Sequence, residues 1–135
     1  MNRQVVLEFV DTINHADTEK MKKLLSSDHL FVDPQGNMVR GRDEMMSGWV
    51  QYFAMFPDYL INIESIVEDV QFVCLFGYAS ATYKNLKDET NSNYWRTPAA
   101  WTAIVEGGHI KQWQVYADNS IVIEIVNRCN KLLNA

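Results

Sequence analysis

The chain has 135 residues, of which 47% are hydrophobic and 21% are charged, and its formal net charge is -5. This length favours a single domain, residues 1–135, with a hydrophobic core that needs no metal or disulfide support. The acidic balance excludes nucleic acid as a main partner, because phosphate binding needs a basic face. No apolar run reaches the roughly 18 residues that span a bilayer, so we expect no membrane partner.

The cysteines and histidines indicate a protein without metal or disulfide. Cys74 and Cys129 lie far apart in apolar settings and form no CxxC motif, which is typical of buried thiols in a cytoplasmic protein. Glu8 and Asp11 come too early for a secretion signal. The three histidines share no ligand spacing, so we expect no metal, and the chemistry considered below needs no other cofactor.

The first part of the chain is mostly helical in its periodicity. Apolar residues recur at helical spacing, and Asp17 or Thr18 can cap the second helical segment. His29–Asp33 predicts a short strand that stops at the turn Pro34–Asn37. The predicted helices are at residues 2–14, 18–27 and 42–56.

After Pro57 the period changes to alternation, which predicts extended strands. We expect these strands at residues 59–67, 71–85, 94–106 and from His109 onward, with a polar hairpin loop at 86–93. Helical spacing from Ser120 to Leu133 predicts a terminal helix, although the β-branched run Ile121–Ile123 leaves a strand open as the alternative.

This order of elements predicts an α+β fold. The helices collect on one side of a strongly curved antiparallel sheet, in the order β-α-β-β-β-β after two N-terminal helices. A curved sheet wrapped over a helix leaves a cone-shaped pocket. Pockets lined by aromatics with few polar groups usually bind small molecules, so we expect a small apolar or aromatic ligand.

The strand from His109 ends on a candidate acid or base. It carries Trp113 and Tyr116 and closes on Asp118. Apolar walls raise the pKa of a carboxylate toward working pH, which suits general acid–base catalysis. Asp118 can equally cap the helix that follows. Alternation puts Asp118 and Tyr116 on one strand face and Trp113 on the other unless a bulge intervenes.

Several short motifs together resemble the nuclear transport factor 2-like superfamily, above all its SnoaL-like polyketide cyclase, ketosteroid isomerase and limonene-epoxide hydrolase branches. The resemblance covers nearly the whole chain. It implies a cone-shaped, cystatin-like roll and a single SnoaL-like domain. The motifs that carry it are Asn14-His15-Ala16-Asp17, Phe31-Val32-Asp33-Pro34, Gly41 before an acidic helix start, and Gly108-His109-Ile110 leading to Trp113, Tyr116 and Asp118.

The resemblance implies two catalytic candidates. Asp33 falls where ketosteroid isomerases keep their proton-shuttling base, and Asp118 falls where the cyclases and epoxide hydrolases place an acid/base aspartate. The hydrogen-bond donors of the isomerases match Phe9 and Ala100, which cannot donate, so steroid isomerisation by that mechanism is not expected. The Arg and second Asp of the hydrolases have no counterpart in Phe76–Ser80, which argues against epoxide hydrolysis.

Two function classes stay open. The first is a cofactor-free cyclase, isomerase or hydrolase that acts on a small apolar carbonyl compound through Asp118 and Asp33. The second is a non-catalytic ligand-binding or protein-interaction module with the same fold. His29 shares a strand face with Asp33 and can tune it by a hydrogen bond. The remaining candidates for the pocket wall are Phe9, Trp49, Tyr52, Phe53, Tyr59, Trp113 and Tyr116.

The central strands also predict a homodimer. Residues 71–85 and 94–106 are apolar on both faces, and Trp95 and Trp101 lie opposite the face that holds Pro98 and Ala100. A terminal helix of about 14 residues, roughly 21 Å long, is too short to cover several strands. Exposed tryptophans would form an apolar patch larger than a monomer tolerates, so we expect two copies to pair through the outer sheet face, as relatives in this superfamily do.

Overall fold

A curved, unclosed six-stranded sheet and four helices make up the part of the chain that the computed structural model describes, residues 2–84 and 93–133. The predicted α+β fold is confirmed. The loop predicted at 86–93 lies outside the described residues except for Asn93. The elements are α1 (Asn2–Asn14), α2 (Thr18–Leu24), β1 (Leu25–Val32), β2 (Met38–Arg40), α3 (Arg42–Met55), β3 (Leu60–Glu68), β4 (Phe72–Thr82), β5 (Tyr94–Glu106), β6 (His109–Ala117) and α4 (Ser120–Leu133).

The strands are arranged in the order β2-β1-β6-β5-β4-β3. Neighbouring strands are antiparallel except β1 and β6, which pair in parallel. The sequence did not predict this parallel pair, because it depends on where the last strand returns. The sequence also did not predict β2, since a three-residue strand is too short to show alternation.

Helix α1 lies against the concave face of the sheet. Val6 and Phe9 on this helix are fully buried. The Asn14 side chain at its end imitates a strand partner: its Nδ2 donates to the Ile61 carbonyl over 3.0 Å, and its Oδ1 accepts from the Ile61 amide over 2.8 Å. This pair of bonds fixes the end of α1 against the edge strand β3.

A bulge in β3 changes which of its side chains point inward. The pairing register with β4 shifts between Ile63 and Ser65. Past the bulge, Ile66 is half-buried and packs on the core, whereas Val67 is 58% exposed. Unbroken alternation would place Val67 on the same face as Ile63, but one extra residue reverses the strand's faces.

The side chains of β5 that were expected on the outer face of the sheet, and that led to the prediction of a homodimer, lie on its inner face. Trp95 and Trp101 point to the concave side and are buried within one chain, at 4% and 0% exposure. They therefore cannot form the exposed patch that was predicted. The outer face instead exposes Phe72 and Phe76 on β4 and Tyr116 on β6. Pairing of two copies through this face stays a prediction.

Helix α4 is confirmed as a helix. It is held near the start of β5 by Asn93, whose side-chain oxygen accepts hydrogen bonds from Arg128 and from the Cys129 thiol. Val122, Ile125 and Cys129 are buried along one side of α4. None of the helices in the described ranges combines the length and apolar character required to cross a bilayer.

Candidate functional site

The concave side of the sheet encloses a cavity of about 310 Å³. This volume lies at the lower end of the range typical of small-molecule sites, roughly 300–1,000 Å³. The cavity lies between α3, the β1–β2 hairpin and the inner faces of β4, β5 and β6. Its wall contains Phe31, Asp33, Pro34, Gln35, Val39, Met45, Gly48, Trp49, Tyr52, Tyr59, Ala79, Trp95, Thr97, Val115, Ala117 and Asn119.

Aromatic rings in mutual contact form much of the wall. Trp49 and Tyr52 lie three residues apart on α3, so they share one face of the helix. Their rings meet edge to face with centroids 6.1 Å apart. Tyr52 and Tyr59 are likewise perpendicular at 5.0 Å, and Tyr59 contacts Trp95 at 6.3 Å. The rings support one another, which favours a wall that keeps its shape.

The connection between α3 and β3 positions Tyr59. The Asp58 carboxylate accepts hydrogen bonds from the Thr82 amide over 2.7 Å and from the Thr82 hydroxyl over 2.8 Å. The Lys84 amide donates to the Met55 carbonyl over 2.8 Å. Both contacts tie the connection to the end of β4, and they hold Tyr59 at the junction of helix and sheet.

The two cavity tyrosines are strong candidates for hydrogen-bond donors. Burial raises the pKa of both Tyr52 and Tyr59 well above the ordinary tyrosine value, and each hydroxyl therefore keeps its proton at neutral pH. The Trp101 indole N–H partly offsets the rise in the pKa of Tyr59, although its geometry falls short of a formed hydrogen bond. Within the described residues, neither hydroxyl has a protein acceptor.

Asp33 reaches the cavity, as predicted, and it also organises the β1–β2 turn. Its Oδ1 accepts from the amides of Gln35 and Asn37, both over 2.9 Å. Its Oδ2 accepts from the Asn37 side chain over 3.1 Å. These bonds use about three of the four acceptor positions of a carboxylate, which leaves one for a ligand or a proton. Asp33 is the one carboxylate among the described residues of the wall.

Asp118 lies outside the cavity, which corrects the expectation that both aspartates point into it. Its neighbours Ala117 and Asn119 line the wall, so strand alternation turns Asp118 to the opposite side. The Asp118 Oδ1 accepts from the Ser120 amide over 2.9 Å at the start of α4. This bond holds the pKa of Asp118 below its usual value. These contacts agree with the alternative that Asp118 caps the helix that follows.

His29 also differs from its predicted placement. It is fully buried, outside the cavity wall, and its Nδ1 hydrogen-bonds the Ile110 carbonyl over 2.8 Å rather than Asp33. Burial lowers the pKa of His29, and the bond to Ile110 only partly opposes that effect. The Nε2 atom is enclosed without a partner in the described structure. His29 is thus a neutral residue of the core.

Four of the predicted aromatic wall residues do not reach the cavity. Phe9 and Trp113 are fully buried beneath it, with ring centroids 4.9 Å apart. Phe53 stacks on Trp49 at 5.4 Å outside the wall. Tyr116 is 48% exposed on the outer sheet face. The predictions for Trp49, Tyr52 and Tyr59 correspond to the observed wall.

The SnoaL-like domain family model matches residues 6–113 of the chain. The chain belongs to the SnoaL-like domain family. This confirms the superfamily that the sequence motifs resembled. No curated protein shows significant sequence similarity to this SnoaL-like domain.

Solved structures share the fold of this SnoaL-like domain at low sequence identity. A protein of ketosteroid isomerase-like fold from Catenulispora acidiphila, in complex with trimethylamine, has a TM-score of 0.77 and 18% identity over 91% of this chain and 92% of that chain. A nuclear transport factor 2-like protein of unknown function from Cytophaga hutchinsonii has a TM-score of 0.71 and 20% identity, over 91% of this chain and 95% of that chain. A protein from Jannaschia sp., provisionally assigned as a SnoaL-like polyketide cyclase, has a TM-score of 0.79 and 13% identity, over 93% of this chain and 90% of that chain. At these identities the likeness shows the fold alone.

Much of the wall of this SnoaL-like domain was not predicted from the sequence. Trp95 and Thr97 alternate along β5 and both face the cavity, a signal that the sequence carries but that was assigned to the wrong face. Phe31 and Val39 reach the wall only because β1 and β2 form a hairpin. In the described ranges, no three His, Cys, Asp or Glu side chains are grouped so that they could hold a metal ion.

Proposed function

We propose that this SnoaL-like domain binds a small, largely apolar or aromatic ligand in the cone cavity. The observation that carries the proposal is the cavity of about 310 Å³ walled by mutually packed aromatic rings. Apolar walls with a few polar groups are the usual design of a small-molecule site, because the walls supply affinity and the polar groups set orientation. Here the polar groups are few: the hydroxyls of Tyr52, Tyr59 and Thr97, the Asn119 amide, and Asp33 with Gln35 in the turn.

The similar structures support the use of this fold for small ligands. The Catenulispora protein holds trimethylamine, and the Jannaschia protein is provisionally assigned as a SnoaL-like polyketide cyclase. Neither fact names the ligand of this chain, because fold and function are separable. The ligand class is inferred from the wall itself.

Gly48 provides a test that blocks the cavity without removing a functional group. It lies on α3 in the wall, and an added Cβ would meet only the Met45 side chain, at 3.7 and 3.8 Å. Gly48→Leu should fill the cavity, whereas Gly48→Ala should leave most of it open. With 1-indanone as the probe, calorimetric titration should detect binding to the wild type and to Gly48→Ala, and at least tenfold weaker binding to Gly48→Leu. Equal affinity of all three proteins would reject the cavity as the binding site.

Acid–base catalysis by Asp33 is a second candidate function, favoured by the position of its carboxylate at the cavity. In this reaction the Asp33 carboxylate takes a proton from C2 of an enolisable ketone, and the resulting enolate is reprotonated at the same carbon from solvent-exchanged carboxylic acid. Exchange of the C2 protons of 1-indanone in heavy water, followed by proton NMR, measures this step directly.

The exchange experiment has a matched control. Asp33→Asn should slow protein-catalysed exchange by about a hundred- to ten-thousand-fold, the usual contribution of a general base. Asp118→Asn, which changes a carboxylate outside the wall, should exchange at the wild-type rate. If 1-indanone binds but wild type gives only the buffer rate, the non-catalytic binding function stands and the catalytic candidate is rejected.

A further inference from the structure

We propose that Tyr52 and Tyr59 act as a pair of hydroxyl donors that recognises a neutral acceptor oxygen, such as a ketone carbonyl, on the ligand. The inference rests on the proposed ligand-binding function and names the chemistry that the cavity selects. The two residues come from different elements, α3 and the segment before β3, and both line the wall. Their ring centroids lie 5.0 Å apart at an angle of 87°, so the two side chains are in contact in one part of the wall.

Both tyrosine hydroxyls lack a protein acceptor among the described residues. In residues 2–84 and 93–133, no protein atom accepts a hydrogen bond from either hydroxyl. A hydroxyl in a mostly apolar cavity gains a hydrogen bond when a water or a ligand atom accepts its proton, so each tyrosine favours such a partner. The indole N–H groups of Trp49 and Trp95 also lack acceptors, but they are fully enclosed by protein. The hydroxyls of Tyr52 and Tyr59 are not fully enclosed, and both residues line the cavity.

The charged groups of the wall restrict the charge that a ligand can carry. Among its described residues, the wall contains no Lys, Arg or His side chain, and its one carboxylate is that of Asp33. A buried anion would have no counter-charge there and would face a carboxylate. A cation could contact the ring faces, but an ammonium group cannot accept the hydroxyl protons. A neutral acceptor can use both donors without burying an unpaired charge, and burial of the two tyrosine side chains raises their pKa, so that both hydroxyls are protonated at neutral pH.

The Tyr52–Tyr59 pair bears on steroid isomerisation, which is not expected from the sequence. The positions that match the donors of ketosteroid isomerases, Phe9 and Ala100, cannot donate a hydrogen bond. Tyr52 and Tyr59 supply donors from other elements of the same cone. A carbonyl held by them would accept stronger hydrogen bonds as negative charge develops on its oxygen.

A matched pair of probes tests the inference. 1-Indanone and indane share the same bicyclic skeleton, and only the ketone carries an acceptor oxygen. We expect wild type to bind the ketone more tightly than it binds indane. The ratio of affinities should be about three- to tenfold for each hydrogen bond formed, which is the range for neutral hydrogen bonds. Tyr52→Phe and Tyr59→Phe should each reduce this preference, and the double variant should abolish it while indane affinity stays within twofold. Tyr116→Phe, on the outer face, should bind both probes as wild type does.

The infrared carbonyl band of bound 1-indanone gives a readout that a change in packing would not imitate. Hydrogen bonding should shift the band to lower frequency in wild type, and the shift should be lost in the double variant. If both probes bind wild type equally, or if the preference and the band shift survive in the double variant, the tyrosine pair is not the recognition element. If neither probe binds, the proposed function fails and this inference fails with it.

Discussion

Gly77 on β4 packs directly against the backbone of Asn62 on β3. A Cβ atom at residue 77 would lie 1.9 Å from the Asn62 carbonyl oxygen and 3.1 Å from the Ile63 Cα. Real side chains do not approach a backbone oxygen so closely, so this contact requires glycine. The contact adjoins the β3 bulge between Ile63 and Ser65.

Gly77→Ala should therefore destabilise the domain substantially. We expect a loss of about 3 kcal/mol in the free energy of unfolding, near the upper end for overpacked sites, because the backbone of β3 must move. Gly48→Ala is the matched control, since its Cβ makes ordinary contact with Met45 and the residue is helical. That variant should be neutral or more stable by up to about 1 kcal/mol. Urea unfolding measures both, and equal stabilities would contradict the packing argument.

The buried His29 predicts a loss of stability in mild acid. Burial lowers the pKa of His29 in the folded chain below the usual value of 6.5, so the unfolded chain binds the proton more readily. The free energy of unfolding should be flat above about pH 6.5 and should fall below it, by up to about 1.4 kcal/mol per pH unit.

Variants separate this effect from other titrations. His29→Asn keeps a side-chain N–H donor but does not titrate, and it should flatten the decline in stability between pH 6.5 and 5. His109→Asn removes an exposed histidine and should leave the decline unchanged. A wild-type stability that is independent of pH across this window would contradict the prediction.

The outer sheet face predicts self-association. Phe76 is 45% exposed and lies in register with Ala100 on β5, which in turn faces Tyr116 on β6. We expect sedimentation at micromolar concentration to give twice the 15.6 kDa mass of one chain. Phe76→Glu should weaken the dimer by about 2–4 kcal/mol, as for a central interface residue, and shift the mass toward one chain.

The matched control for that experiment is Val50→Glu. Val50 is 55% exposed on α3, away from the sheet face, and its replacement should leave the mass unchanged. Trp101→Glu is unsuitable, because Trp101 is fully buried in the single chain and the change would unfold it. A wild type that sediments as one chain at micromolar concentration would reject the dimer.

Asp118 should behave as a helix cap rather than as a catalytic group. Its pKa is lowered by the hydrogen bond from the Ser120 amide, so its stabilising contribution is present above the usual value of 3.8 and is lost as pH falls below it. Asp118→Ala should lower the thermal midpoint, whereas Asp118→Asn, which keeps an acceptor oxygen, should lower it less. Both variants should bind 1-indanone like wild type. A large loss of affinity in either would return Asp118 to the site.

The sequence by itself determined most of the elements and the superfamily. Helical spacing identified α1, α3 and α4, alternation identified the long strands, and the motifs around Asp33 resembled the family that the comparison confirmed. Trp49 and Tyr52 could be assigned to the cavity because they lie on the inward face of one helix. These features depend on local periodicity, which the order of residues contains directly.

The tertiary structure alone decided which side chains meet in the cavity. An extra residue in β6 near Lys111 shifts its register with β5, so Ile110 and Trp113, an odd number of positions apart, are both fully buried on the inner side. The orientation of Trp95 and the approach of Tyr59 to Tyr52 likewise depend on pairing between distant strands and helices. A shift of one residue exchanges the two faces of a strand, and only the packed register determines where such shifts occur.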